Sequence, residues 1–271
     1  MDLELSGKRV LITGSYRGTG AGLARVLAEE GATVWIHGFE TDPTEAVASS
    51  IREKGQEAHA VVGDIRTDDG ARDVASTVGE IDILVNNYGV AEGGSWESPT
   101  EDWIDIYQKN VLSAVRLVHA FSPGMRTRGW GRILFVSTVG YARPNSRMPH
   151  YYASKTALVN MTVSLAKELA NTGITVNCIS PGIIATAEIK EMFTRRAAKA
   201  GEPTDWQSIE KRITGKDGKS SAGPINPANP AGIIGNPEDI GHLVAFLSSD
   251  KARYINAANL RIDGGMADSI Q

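Results

Sequence analysis

Seven short runs rich in β-branched and apolar residues punctuate the chain, separated by longer amphipathic segments: KRVLIT (8–13), TVWIH (33–37), AHAVVG (58–63), IDILVN (81–86), GRILFVS (131–137), ITVNCIS (174–180) and NLRID (259–263). Strands that alternate with helices predict a parallel sheet. The runs are apolar on both faces, whereas a sheet wetted on one side would alternate polar and apolar residues, so two helical layers are required. The expected fold is an α/β, doubly wound, seven-stranded parallel sheet with helices on both faces. A length of 271 residues fits one domain over 1–271.

Ser98-Pro99-Thr100-Glu101 has the Ser-x-x-Glu form of a capping box with Pro at the first helical position, which predicts a helix over about 99–121. Trp103, Tyr107, Ala114, Leu117 and Phe121 recur on one face of it, and Asn110 falls on the same face. A carboxamide in an apolar stripe needs buried partners, so Asn110 is either a structural hydrogen-bonding residue or part of a site. After the sixth run, AEIKEMFTRRAAKA (187–200) and the Gly-, Pro-, Ser- and Lys-rich stretch 214–235 read as a substrate lid over about 187–234, mobile in its second half. Its stripe of Ile189, Met192 and Phe193 either covers an apolar substrate or packs on the domain.

Polar and glycine-rich motifs follow the strands: Thr13-Gly14, Asp64, Asn87, Ser137 and Pro181-Gly182. In an open parallel sheet these ends share one edge, and ligands bind in the crevice where strand order reverses. The glycines of Thr13 to Gly20 suit a tight turn beside a pyrophosphate held on a helix N-terminus, although such a turn alone is often only a turn. Tyr151-x-x-x-Lys155 places phenol and ammonium one helical turn apart, where both reach one ligand and the cation favours phenolate. A solvated Tyr–Lys pair is the plain alternative.

Other classes are excluded by what the chain lacks. With 28 Lys plus Arg against 32 Asp plus Glu and no like-charge block, nothing recruits nucleic acid or an anionic membrane, so a small soluble substrate is expected. The N-terminus has no basic leader and no apolar stretch approaches the roughly 18 residues of a membrane span, pointing to a cytoplasmic protein. Cys178, the single cysteine, reads as buried and inert. The five histidines show no metal-ligand spacing, and His119 and His242 are ordinary helix residues. Gly218-Lys219-Ser220 fails as a P-loop because Ile213 stands at the first glycine position, and no G-x-S-x-G elbow marks a hydrolase.

Taken in order, T-G-x-x-x-G-x-G at Thr13 to Gly20, Asp64, N-N-x-G at Asn86 to Gly89, Asn110, Ser137, Tyr151-x-x-x-Lys155, P-G-x-x-x-T at Pro181 to Thr186 and Asp263-Gly264-Gly265 resemble the short-chain dehydrogenase/reductase family from about Gly7 to Gly265. The resemblance implies a Rossmann-type, nicotinamide-dependent oxidoreductase that interconverts a carbonyl and an alcohol. It implies that Tyr151 exchanges the proton, Ser137 bonds the reacting oxygen, Lys155 holds the ribose and depresses the tyrosine pKa, and Asn110 supports a relay water. It also implies cofactor contacts at Gly14, Ser15, Arg17, Gly18, Thr19, Gly20, Gly38, Asp64, Ile65, Asn87, Gly89, Pro181, Gly182, Ile184 and Thr186, besides Tyr151 and Lys155. A homotetramer or homodimer built on the helices of 99–121 and 151–171 is expected.

Two departures stand out: Tyr88 replaces the usual Ala of N-N-A-G, and the interval from Ser137 to Tyr151 is one residue longer than usual. Thr138 is therefore an alternative oxyanion partner, with Ser137 preferred because Ser137 to Gly140 matches S-x-x-G. For the cofactor, Gly38 stands where NAD-using members carry Asp, Arg17 matches the basic residue of NADP-using ones, and His37 is expected to add a donor. NADP is the expected cofactor; Glu40 keeps NAD open. A nucleotide-binding regulatory protein without turnover, and an isomerase or dehydratase using the same groups, are the rival readings.

Overall fold

A computed structural model describes residues 1–215 and 229–267, and in it the seven runs form β1 (Arg9–Ile12), β2 (Thr33–Gly38), β3 (Ala58–Val62), β4 (Ile83–Asn86), β5 (Gly131–Val136), β6 (Ile174–Pro181) and β7 (Asn259–Ile262). The connecting helices are α1 (Gly18–Glu29), α2 (Thr41–Arg52), α3 (Asp68–Val78), α4 (Thr100–Tyr107), α5 (Ser113–Arg128), α6 (Pro149–Glu168), α7 (Ala187–Lys199), α8 (Trp206–Thr214) and α9 (Pro237–Ser248). Every pairing is parallel, in the order β3-β2-β1-β4-β5-β6-β7.

Successive side chains of a strand point to opposite faces, and that alternation sorts the two helical layers. Val10 and Ile12 of β1 and Ile83 and Val85 of β4 pack with Leu23 and Leu27 of α1 and with Ile240 and Val244 of α9. The intervening Leu11 and Leu84 pack the other way, against Val74 of α3, Leu117 and Phe121 of α5 and Leu158 of α6. From β1 the chain winds outward to β3, then crosses back to β4 on the other side of β1. The loops after β1 and β4 therefore diverge and leave a crevice between them.

The helix expected over 99–121 departs from the prediction in three ways. Ser98 lies one residue outside the cap position, which Pro99 occupies, and its hydroxyl accepts from the Ser95 amide at 3.1 Å, so no capping box forms. A π-helical turn over Gln108–Leu112 interrupts the helix at Asn110, a widening often found beside functional sites. Beyond it α5 continues to Arg128 and accommodates Pro123 internally.

In the segment expected to form a lid, α7 and α8 share a small core of Ala197, Ile209, Ile213 and Ile234, against which Phe193 and Trp206 pack. Residues 216–228, including Gly218-Lys219-Ser220 and much of the half expected to be mobile, lie outside the described residues. Among the described residues no helix is long and apolar enough to cross a membrane, and no three His, Cys, Asp or Glu cluster to hold a metal. Cys178 is fully buried, and burial pushes its thiol up to about 12, in keeping with an inert packing residue.

His37 ties three strand ends together. Its Nδ1 accepts from the Gly14 amide at 3.1 Å and its Nε2 donates to the Gly63 carbonyl at 3.0 Å, an arrangement that needs the neutral ring. Burial pushes its pKa down to about 4. An unfolded histidine near 6.5 takes up its proton first, so between about pH 6.5 and 4 the unfolded state binds more protons and stability falls with pH, by up to about 3 kcal/mol. Urea midpoints measured from pH 7 to 4 should show this loss, and the slope should flatten in His37→Asn; an unchanged slope would remove His37 as its source.

Candidate active site

The loops after β1 and β4 are locked to one another at the crevice. Asn87 Nδ2 donates to the carbonyls of Thr13 (2.9 Å) and Gly14 (3.3 Å), and the Tyr88 amide donates to Thr13 Oγ1 (2.9 Å). A Cβ on Gly20 would stand 2.6 Å from Asn87 Nδ2 and 2.7 Å from the Gly14 carbonyl, so this closure tolerates only glycine there. Gly14, Arg17, Gly18, Thr19 and Gly20 line one end of a cavity of about 1200 Å³, at the N-terminus of α1. Free N–H groups and the positive end of the helix dipole suit that end to an anion. Ser15 faces inward instead: its hydroxyl donates to the Ile12 carbonyl at 2.7 Å and accepts from the His37 amide at 3.0 Å.

Asn87, Gly89, Thr138, Tyr151 and Lys155 line the middle of the cavity, and Pro181, Gly182, Ile184 and Thr186 line its far wall. Lys155 is buried, its ammonium donating to the Val136 carbonyl at 2.9 Å. A Cβ on Gly89 would stand 2.6 Å from Nζ, so only glycine lets the ammonium pack this closely against the loop after β4. Burial pushes the Lys155 pKa down to about 8. One turn earlier, Tyr151 is pushed up to about 12, first by burial and then by Tyr152, while a hydrogen bond from the Thr138 hydroxyl opposes the rise. The Lys155 ammonium, held on the Val136 carbonyl, is not among the groups that offset this rise.

Ser137 lines the cavity beside Thr138, but its hydroxyl is already engaged. Its hydroxyl donates to the Lys155 carbonyl at 2.8 Å and is buried. β5 ends at Val136, and the extended backbone continuing from it turns Ser137 and Thr138 to opposite sides, which leaves Thr138 half-exposed in the cavity against Tyr151. The clue in the sequence is the interval: counting from Thr138 rather than Ser137 removes the extra residue before Tyr151.

Asn110 is held between the loop after β4 and α6. Its Oδ1 accepts from the Val90 amide at 2.7 Å, and its Nδ2 donates to the Val90 carbonyl and to Ser154 Oγ, both at 3.0 Å. The amide thus straps the loop after β4 onto α6. Met148 had no warning in the sequence; it lines the cavity from a left-handed backbone conformation at φ 59°, which a non-glycine residue adopts at some cost.

Besides Ser15, four expected cofactor residues lie off the cavity. Both ring nitrogens of His37 are engaged by Gly14 and Gly63, so no donor is left for a ligand. Gly38 abuts the Thr44 hydroxyl, and a Cβ there would clash with it. The Asp64 carboxylate accepts from Arg66 at 2.8 Å, and Ile65 is buried in the core. The Phe39 and Tyr88 rings, with centroids 4.9 Å apart, pack together beside these residues, and Arg66 lies over Phe39. Arg17 is exposed as expected, but its guanidinium is 3.6 Å from Glu188 in the first turn of α7.

The sequence pattern described as short chain dehydrogenase matches residues 8–197. The chain belongs to the short-chain dehydrogenase family. A second pattern, described as enoyl-(acyl carrier protein) reductase, matches residues 209–267. This short-chain dehydrogenase is 33% identical over 264 residues to the 3-oxoacyl-[acyl-carrier-protein] reductase of Haemophilus influenzae, covering 97% of this chain and 99% of that one. It is 32% identical over 268 residues to the D-beta-hydroxybutyrate dehydrogenase of Cupriavidus necator, covering 96% and 98%. The crystal structure of L-sorbose reductase from Gluconobacter frateurii, complexed with NADPH and L-sorbose, matches it with a TM-score of 0.90 and 31% identity over 100% of both chains. The Rossmann-type fold expected from the sequence is therefore that of this short-chain dehydrogenase.

Lys155 also has a measurable cost. Because its folded pKa of about 8 lies below the ordinary 10.5, the unfolded state binds more protons between those values, and below pH 8 the full penalty of burying the charge applies. Lys155→Met removes that penalty, at most about 3 kcal/mol, and loses one hydrogen bond of about 1 kcal/mol. Thermal melting of the cofactor-free protein at pH 7 should rise in Lys155→Met; a clear fall would show that the buried ammonium stabilises the fold.

Proposed function

We propose that this oxidoreductase interconverts a carbonyl and an alcohol with NADP(H), using Tyr151, Thr138 and Lys155. The observation that carries the reading is the placement of the Tyr151 hydroxyl, with Thr138 against it and Lys155 buried one turn away, in the same cavity as the glycine-rich turn. The residues fit the cofactor: the cradle at Gly20 and the end of α1 suit its diphosphate, and the Lys155 ammonium lining the same cavity suits a ribose hydroxyl. When bound, the reduced nicotinamide supplies a hydride to the carbonyl carbon. Tyr151 gives its proton to the carbonyl oxygen, and Thr138 donates a hydrogen bond to the charge developing there. Tyr151 is left as phenolate, favoured by the nearby Lys155 ammonium, and recovers a proton from solvent.

The lid reading is supported by Ile189, Met192 and Phe193, which line the cavity, with Phe193 also packing on the core shared by α7 and α8. NADP is supported by exposed Arg17 and by the absence of a carboxylate at Gly38. NAD is the second reading, favoured by Glu188, which already occupies Arg17, and by exposed Glu40 at the end of β2.

Three substitutions test the chemistry with NADPH and a panel of ketones. Tyr151→Phe should abolish turnover with little change in cofactor affinity. Thr138→Val should lower kcat on the order of 100-fold, the loss typical of a donor to a developing oxyanion. Ser137→Ala should cost less than Thr138→Val, and the reverse order would return the oxyanion role to Ser137. For the cofactor, kcat/KM should favour NADPH over NADH, and Arg17→Ala should reduce that ratio on the order of tenfold. A wild-type preference for NADH would favour the second reading.

A further inference from the structure

Beyond Tyr151 the large cavity meets a second one of about 360 Å³, the two sharing Asn145, Met148, Tyr152 and Arg196. Among the described residues no carboxylate lines the second cavity, whereas Arg147 and Arg196 both do. The carboxylates on the large cavity are already matched: Glu92 accepts from Lys109 at 2.7 Å, and Glu188 faces Arg17. Arg196 belongs to the last turn of α7, and its guanidinium lies over the Phe193 ring at 5.6 Å, which shields one side of it from water.

A chain of contacts runs from the proposed proton donor to the backbone of Arg147. The Tyr152 ring stands edge-on to Tyr151 at 5.3 Å, its hydroxyl accepts from Asn145 Nδ2 at 2.9 Å, and Asn145 Oδ1 accepts from the Arg147 amide at 2.8 Å. Asn145 thereby fixes the backbone of Arg147 relative to the Tyr151–Tyr152 pair. Two guanidiniums on one cavity without a counter-charge repel one another, and a carboxylate between them gains charge-assisted, planar hydrogen bonds from both.

Resting on the carbonyl–alcohol reading above, we propose that the substrate is an oxo acid or hydroxy acid, its carboxylate held by Arg147 and Arg196 while its carbonyl meets Tyr151 and Thr138. The apolar side chains of Met148 and Phe193 accommodate the carbon chain between the two ends. Neutral carbonyl compounds lack the distal anchor and bind more weakly.

The test separates anion binding from turnover. Calorimetric titration of the full chain with malonate, which has no reducible carbonyl, and with its uncharged dimethyl ester should show saturable binding of malonate alone. The double substitution Arg147→Gln, Arg196→Gln should raise the malonate Kd on the order of tenfold or more, with Arg196→Gln alone giving a smaller rise if the double variant melts abnormally. With NADPH, kcat/KM for acetoacetate should exceed that for methyl acetoacetate, and the double substitution should shrink this ratio mainly through KM. Absence of malonate binding to the wild type, or a Kd unmoved by the substitutions, overturns the anion site. Malonate binding that responds as expected, with no carbonyl compound reduced, would sink the reaction and leave the anion site standing.

Discussion

A lysine ammonium buried under the crevice, with the Val136 carbonyl as its partner, is the constraint around which the site is built. A charge removed from water is costly, and each neighbouring choice makes it tolerable without neutralising it. Ser137 holds the Lys155 backbone through its carbonyl, Gly89 leaves room beside Nζ, and Asn110 pins the loop that carries Gly89 by its grip on Val90. The π-helical turn turns Asn110 inward at the place where that grip is needed. Three residues that read in the sequence as candidates for chemistry or its support thus pack and hold the surroundings of one buried cation.

The fold was legible because seven apolar runs between amphipathic segments admit few alternatives, and their boundaries agree with the observed strands within a residue or two. The glycine-rich turn, Tyr151 and Lys155 were legible for a related reason: their spacing is local, and local spacing sets geometry on a helix or at a turn. What failed depended on long-range partners. Ser137 and Thr138 differ only in which side of the departing chain they face, and that parity depends on where β5 stops. His37 looked like a donor for a phosphate until the Gly63 carbonyl, brought alongside by β3, took up its Nε2. Gly38 looked like an open position until Thr44 of α2 was packed over it. The capping box failed more simply, since Ser98 sits one residue before the true cap.

The two ends of the large cavity differ in character. At the glycine-rich end Arg17 is tied to Glu188, so a phosphate arriving there would compete with a carboxylate of the proposed lid and couple cofactor binding to the position of α7. At the other end Arg196, on the same helix, also lines the second cavity, where no carboxylate is found among the described residues. One helix therefore carries groups of opposite charge at the two ends, Glu188 near its start and Arg196 near its end.

The central claim is that the crevice transfers a hydride to a carbonyl carbon while Tyr151 supplies the proton. The direct measurement is isotopic: NADPH deuterated at the transferable C4 position is incubated with a reducible oxo acid in ordinary water, and the alcohol product is examined by mass spectrometry and NMR. One deuterium on the new carbinol carbon, with no product formed by Tyr151→Phe, is the predicted result. An alcohol carrying only solvent-derived hydrogen on that carbon, or equal deuterated product from Tyr151→Phe, would contradict it.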